Sequence, residues 1–337
     1  METDSAVARQ TWISGGQFDD IDAQAAHLHG YGQQYQQLSR GPFEGRYRSF
    51  AFGDDLGIHL EVANRALAQS ASIATGRYAA CLLVETSPPC AINADLFSLN
   101  HVALCPENKV LEGKTPAGMS ICCMDVSREL LPDDAESLRA ARILNDPARS
   151  GQLRELVRSG LSAFSALESP SCYPAAVKSF KSSLGDLLWQ VATQSQDKDV
   201  VRPHHYAGAR TLLVFRRARD YIHHNLADGI SIVALCKDVG SSRRSLESVF
   251  QSVIGMGPGN YVRTLQLNQI RRDLISEASA GVSIGVIAAR RGIWHWSRFS
   301  RHYRLLFGEL PSQTRLRHGI QHRPATGTSQ VSIRRLA

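Results

Sequence analysis

Between Ser231 and Arg317 the chain carries the same arrangement of apolar and glycine positions twice, so whatever it folds into must contain a repeat. The first copy reads Cys236, Gly240, Leu246, Phe250, Gly255 and Pro258; the second reads Ala288, Gly292, Phe299, Tyr303, Gly308 and Pro311. The first two positions are offset by 52 residues and the last four by 53, which places one added residue in the turn after Gly292.

Each copy reads as two short helices around a tight turn. Ser231 is suited to cap a helix from Ile232 with Leu235 and Val239 on one face, and Gly240 supplies the conformation that stops it. Ser241 or Ser242 then caps a second helix, whose buried side is Leu246, Val249, Phe250 and Val253 at spacings of three and four. Its opposite side presents Arg243, Arg244, Glu247, Ser248 and Gln251. In the second copy Ile284, Ile287 and Ala288 precede Gly292, and Phe299, Tyr303, Leu306 and Phe307 follow as the buried face. Ser297, Arg298, Arg301 and Arg304 are left outside. Cys236 and Ala288 sit where the paired helices approach most closely, and a larger side chain would wedge them apart. A helix pinned to its predecessor with long donors on its free face is the shape of a helix-turn-helix reader.

The run GIWHWSRFSRHYRLLFGELPSQ, Gly292 to Gln313, closely resembles the C-terminal signature of AraC/XylS-type transcriptional regulators. The resemblance covers roughly residues 210 to 320 and implies two helix-turn-helix units joined by a linker helix, here about Tyr261 to Ile275. Carried onto this chain, it places Arg244, Glu247 and Ser248 at base-facing positions of the first unit, and Trp296, Ser297, Arg298 and Arg301 in the second. Ser248 departs from the longer side chain many relatives carry there. A fainter similarity, to regulators of the ethanolamine-utilisation type, lies in Gln33-x-Tyr35-x-Gln37-Leu38-x-x-Gly41-x-Phe43-x-Gly45.

Charge divides the chain the same way. Residues 210 to 323 carry 18 Lys/Arg against 7 Asp/Glu, a net +11, whereas residues 1 to 209 carry 18 against 24, a net −6. Seventeen of those 18 cations are arginine, which suits bidentate contacts to phosphate and guanine edges. Seven cysteines with no C-x-x-C pair argue against a disulfide framework or a zinc finger. They read as reduced core residues, with redox sensing through Cys122 and Cys123 as the alternative. No run of about 18 apolar residues and no basic-then-apolar leader is present, so a cytoplasmic protein is expected, with no membrane as partner.

Residues 1 to about 20 read as a loose arm and Ile21 to Leu38 as a helix. From Arg46 to Val126 the pattern changes to strand-length apolar runs at Arg46 to Phe52, Ile58 to Val62, Ala80 to Val84, Leu99 to Leu104 and Met119 to Val126. Such runs fit a small barrel or double-sheet domain, and the family resemblance implies a cupin-like effector domain there. Helices are expected at Asp134 to Leu144, Gln152 to Leu167 and Pro174 to Thr193. In the last, Val177, Phe180, Leu184, Leu187 and Val191 form an a/d seam. That face either packs on its own β domain or pairs with a second copy, and the resemblance favours the homodimer. The expected class is therefore α+β: residues 1–195 as a cupin-like β domain with a helical dimerisation segment, 196–209 as a linker, 210–320 as an all-α double helix-turn-helix domain, and 321–337 as a disordered tail.

Alternatives stay open residue by residue. Glu247 either accepts from a cytosine amino group or pairs with a neighbouring arginine. Trp296 either stacks on the DNA wall or lies in the core. Arg263, Arg271 and Arg272 of the linker helix are either solvated or on phosphate. The adjacent pairs His204-His205 and His223-His224 point to different sides of an element and suit no metal. The expected function is a sequence-specific DNA-binding regulator, an effector-responsive activator whose partners are double-stranded DNA, a small-molecule effector and RNA polymerase. The ethanolamine-type similarity points to a small amine or metabolite as effector. No catalytic residue, cofactor or metal is expected. The rival is an enzyme: a cupin-type metalloenzyme would draw on His59, Glu61 and His101, and a DNA alkyl-repair protein would need a cysteine cluster that the spacings do not offer.

Overall fold

Period-two burial builds the N-terminal half. The computed structural model describes residues 12–28, 31–84, 90–93, 95–131, 141–166, 170–194, 209–226 and 229–319. Twelve strands lie within them: β1 (Ile13–Phe18), β2 (Tyr31–Gln37), β3 (Gly45–Ala51), β4 (Leu56–Ala63), β5 (Leu67–Ile73), β6 (Arg77–Leu83), β7 (Cys90–Ile92), β8 (Asp95–Phe97), β9 (His101–Cys105), β10 (Val110–Thr115), β11 (Met119–Ser127) and β12 (Arg142–Asn145). They form two antiparallel sheets, one ordered β1-β3-β4-β11-β6-β9-β12 and the other β2-β5-β10-β7-β8.

Strand β11 shows how the layers are fixed. Cys122, Met124 and Val126 face a core closed by two helices, α2 (Pro147–Ser165) and α3 (Pro174–Gln194), whereas Met119 and Ile121 face the interior between the sheets. Cys122 and Cys123 therefore point to opposite sides. Cys123 instead meets its cross-strand neighbour Cys81, with sulfur atoms 3.1 Å apart.

Three expectations are corrected here. The helix expected over Ile21 to Leu38 ends at Ala25 as α1 (Ile21–Ala25), capped by the Asp20 carboxylate, and the chain continues as β2. The expected loose arm contains β1, which pairs with β3. The end of the helix expected over Asp134 to Leu144 is β12 paired with β9, while residues 132–140 lie outside the described residues. The a/d seam of α3 is occupied by this chain's own sheet. Phe180, Leu184 and Val191 are buried in this core, and Val177 and Leu187 lie half-buried beside them, so most of the seam packs within its own domain.

The C-terminal half is helical: α4 (Ala209–Asn225), α5 (Ile232–Asp238), α6 (Arg243–Ile254), α7 (Pro258–Ile275), α8 (Ile284–Arg290), α9 (Trp296–Phe307) and α10 (Pro311–Arg317). The duplication is visible in its punctuation. Ser231, Ser242 and Ser283 cap α5, α6 and α8, and Gly255 and Gly308 end α6 and α9 at φ 76° and 79°, a conformation that favours glycine. Pro258 and Pro311 then open α7 and α10, where a missing N–H costs nothing. Leu235, Leu246, Phe250, Tyr261 and Leu265 form the core of the first unit; Leu267, Ile270, Ile287, Phe299 and Tyr303 form that of the second. At about 1.5 Å per residue, α7 is about 27 Å long and anchors one unit at each end.

This half is docked on the β domain. Buried Gln37 of β2 donates its backbone N–H to Asn268 Oδ1 at 3.0 Å, and Asn268 Nδ2 donates back to the Gln37 carbonyl at 3.1 Å. The Gln37 side chain reaches the Leu306 carbonyl at 2.6 Å and the Gly41 N–H reaches the Leu305 and Leu306 carbonyls, so the β domain satisfies the C-terminal carbonyls of α9. Arg271, on which phosphate contact was one option, is 5% exposed and lies between Asp20 at 3.1 Å and Glu309 at 2.6 Å. Arg272 pairs with Asp22 and donates to the Tyr35 carbonyl. The expected linker and tail, and His204-His205, lie outside the described residues, apart from Ala209 at the start of α4.

Candidate nucleic-acid interface

Which side of each reader helix is free is decided by its apolar stripe. In α6 the side chains of Leu246, Val249, Phe250, Val253 and Ile254 go inward, leaving Arg243, Arg244, Glu247, Ser248 and Gln251 exposed. Those five, with Ser252, line one open groove. In α9 the stripe is Phe299, Tyr303, Leu306 and Phe307, and Trp296, Ser297, Arg298, Arg301 and Arg304 are exposed.

Ion pairing separates two kinds of arginine. Arg271, Arg272, Arg291 and Arg317 are each held by a carboxylate. Arg243, Arg244, Arg298 and Arg301 have no acidic partner among the described residues, so their guanidinium donors remain available to an anion. The four paired arginines maintain the fold; the four on the reader helices are free, as are the exposed Arg217 of α4, Arg263 of α7 and Arg290 of α8.

Two residues hold dual positions. Trp296 stacks on Phe299 with ring centroids 5.4 Å apart, and a Cβ on Gly285 would come within 3.0 Å of its indole, yet it stays 53% exposed. It is both core and surface. Glu247 leans on the start of α7, where a side chain at Gly257 would collide with its carboxylate. A carboxylate there favours the positive end of that helix, which competes with reading cytosine.

The sequence reading passed over three contributors. Trp294, in the turn that carries the added residue, is 78% exposed; an inserted tryptophan ahead of a reader helix was the available signal. His302 has its pKa lowered by burial and then by Arg263, Arg301, Arg298 and Arg40. Arg40 of the β domain and Arg263 of α7 therefore belong to the same positive surface as α9, a proximity that no local pattern announces.

The three candidate ligands inside the β domain, His59, Glu61 and His101, are each engaged by neighbouring side chains. Tyr47 and Ser49 hydroxyls lie 2.7 and 3.1 Å from His59 Nδ1; Tyr35 and Gln24 donate to Glu61 at 2.6 and 2.8 Å; Ser98 holds His101 Nδ1. Burial raises the Glu61 pKa, against the lowering effect of its two donors. Among the described residues no group of three or more His, Cys, Asp or Glu is placed to hold a metal ion.

Residues 235–317 match a helix-turn-helix domain family. The chain is 42% identical over 101 residues to a XylDLEGF operon transcriptional activator of Pseudomonas putida, a match covering 30% of this chain and 31% of that protein. It is 36% identical over 107 residues to another protein of that name and organism, activator 2, covering 32% of this chain and 68% of that protein. The matched stretch thus spans less than a third of the first relative. The solved structure of the AraC-like transcriptional activator CuxR aligns over 82% of this chain and all of that one, at 19% identity and a TM-score of 0.41.

Proposed function

The chain belongs to the AraC/XylS family of transcriptional regulators, and on that premise we propose that it binds double-stranded DNA sequence-specifically through α6 and α9 as an effector-responsive activator. The observation that carries this reading is the pair of duplicated helices whose exposed arginines lack acidic partners while neighbouring arginines are ion-paired. With α7 setting their separation, the two helices enter successive major-groove segments, about 34 Å apart on one face of the duplex. Arg244 and Ser248 read bases in the first segment, Ser297, Arg298 and Arg301 in the second, and Arg243 and Gln251 hold the flanking backbone.

As an activator it acts beside RNA polymerase, and an effector held by the N-terminal half shifts the population between arrangements of the two domains. The chain is read as a non-enzyme, because His59, Glu61 and His101, the groups a catalyst in the β domain would draw on, are engaged by neighbouring side chains, and as acting in the cytoplasm, because its partner is DNA. No helix among the described residues is long and apolar enough to cross a membrane.

Selection of bound sequences from a random DNA pool, followed by footprints at two salt concentrations, tests the proposal. Two protected segments one helical turn apart are expected, with affinity falling steeply as salt rises. Binding indifferent to base sequence would overturn it.

A further inference from the structure

The chain leaving β2 runs between the two reader units and touches both. Leu38 is buried in the core of the first unit with Phe250 and Leu265. Three residues on, the Gly41 N–H meets the Leu305 and Leu306 carbonyls of α9 at 3.2 and 3.1 Å, and a Cβ on Gly308 would stand 2.8 Å from Pro42 Cδ. Two side chains fix this course. The Gln37 amide nitrogen lies 2.9, 2.7 and 2.6 Å from the Ser39, Gly41 and Leu306 carbonyls, and Arg65 donates to the Pro42 carbonyl at 2.8 Å. Between the two anchors stands Arg40, exposed, with neither a hydrogen bond nor an ion pair among the described residues.

Arg40 has cationic company. Arg263, exposed in the first third of α7, is unpaired in the same way. The flank of α9 that carries Arg298 and His302 turns toward both, since burial and then Arg263, Arg301, Arg298 and Arg40 lower the His302 pKa. The carboxylates of these elements meet other groups. Helix α9 has none, Asp273 of α7 pairs with Arg291, and Glu44, which follows Pro42 and Phe43, lines a cavity with Arg271 and Arg317. Because α7 joins the two units, a surface shared by Arg263 and Arg298 looks into the space between the readers.

Two major-groove segments one turn apart on the same face of a duplex are separated by a minor groove, and the phosphates that edge it face whatever lies between the readers. We propose that the β domain itself binds DNA there: Arg40, with Arg263 of α7, holds the phosphates of the intervening minor groove while α6 and α9 occupy the major groove on either side. The contact is to backbone and carries no base preference. Arg40 is placed by the docking contacts of Gln37 and Gly41, so only the docked arrangement presents it beside α9. Docking of the two halves therefore strengthens DNA binding and does not mask the readers. The inference rests on the assignment of α6 and α9 as reader helices.

Fluorescence anisotropy of the full chain on its selected duplex and on a random duplex, over a series of salt concentrations, tests it. Arg40→Ala should reduce the magnitude of the slope of log K against log salt concentration by about 0.9, the counterion release of one phosphate, and should leave the preference for the selected duplex unchanged. Ethylation of a phosphate between the two protected segments should hinder the parent and not Arg40→Ala. Arg40→Lys should keep the parent slope. Arg158→Ala removes the same charge from α2, which covers the seven-stranded sheet on the face away from the reader domain, and should leave the slope alone. Thermal unfolding checks that each variant folds; if Arg40→Ala does not, the ethylation pattern of the parent and the slope of Arg40→Gln decide in its place. A slope unchanged by removal of the Arg40 charge, an equal reduction in Arg158→Ala, or a lost base preference in Arg40→Ala overturns the assignment. Base preference in a parent whose slope ignores Arg40 defeats this inference alone. A slope that depends on Arg40 in a chain indifferent to base sequence defeats the regulator reading alone.

Discussion

Asn268 of α7 pairs with the backbone of Gln37 as a neighbouring strand would, accepting at 3.0 Å and donating at 3.1 Å. A helix side chain thus completes the hydrogen bonding of a sheet edge that would otherwise be buried unsatisfied. The reader domain is joined to the β domain through its linker helix, the element that spaces the two readers.

Asn268→Ala strands both Gln37 backbone groups, at a cost of about 1–3 kcal/mol. Scanning calorimetry should show the single transition of the parent move down and separate into two as the halves uncouple. A variant that unfolds in one unshifted transition would show the docking to be energetically idle.

Arg271 carries more. Removing it as Arg271→Met leaves buried Asp20 without its cation and Glu309 with Arg317 alone, and breaking such a buried set costs about 3–5 kcal/mol. The pH dependence has a defined sign. Burial pushes the Glu309 pKa up, but the hydrogen bonds from Arg271 and Thr314 and the charges of Arg271 and Arg317 outweigh it and hold the pKa below the ordinary value of 4.5. A depressed carboxylate stabilises the fold above its unfolded pKa, and that contribution disappears as pH falls through the folded value. Urea midpoints of the parent should therefore drop below about pH 4.5, and the Arg271→Met midpoints should drop less steeply there. Parallel profiles would disprove the coupling.

The duplicated units were legible because short helices state their own limits. Ser242, Gly255 and Pro258 act on the residues beside them, and the same signals recur at the second copy. The extra residue shows as a change of offset and falls between Gly292 and His295, where α9 begins without a side-chain cap. Segment 31–37 was misread because Tyr31 and Tyr35 stand four apart, a spacing that serves one face of a helix and one face of a strand equally; burial of Tyr35 and Gln37 on one side selects the strand. Pairings such as Arg271 with Asp20 and Arg272 with Asp22 join positions about 250 apart, and nothing local distinguishes these arginines from Arg298. The Gln37-Leu38-x-x-Gly41 stretch, read only as a faint resemblance, is the docking surface itself.

Arg298→Ala should weaken binding to the selected site by about 1–3 kcal/mol and to random DNA by much less, as measured by fluorescence anisotropy. Equal losses on both would make Arg298 a phosphate contact. Leu246→Asp acts differently: Leu246 is fully buried in the first unit, and an unpaired charge there should abolish its cooperative unfolding.

His302 gives the DNA complex its own pH signature. In the free protein, burial and then the charges of Arg263, Arg301, Arg298 and Arg40 hold its pKa below 6.5, so the imidazole is neutral at pH 7. Phosphates placed on those arginines cancel the repulsion and allow the ring to take up a proton. Binding then consumes up to one proton in the window below pH 6.5, so affinity should rise as pH falls from 7.5 to about 5.5 at constant ionic strength, by at most about tenfold per pH unit. His302→Gln should flatten this slope and leave affinity at pH 7.5 close to that of the parent. A slope unchanged by His302→Gln would place the proton elsewhere, and a slope of opposite sign would mean that Arg298 and Arg301 are not covered by phosphate in the complex.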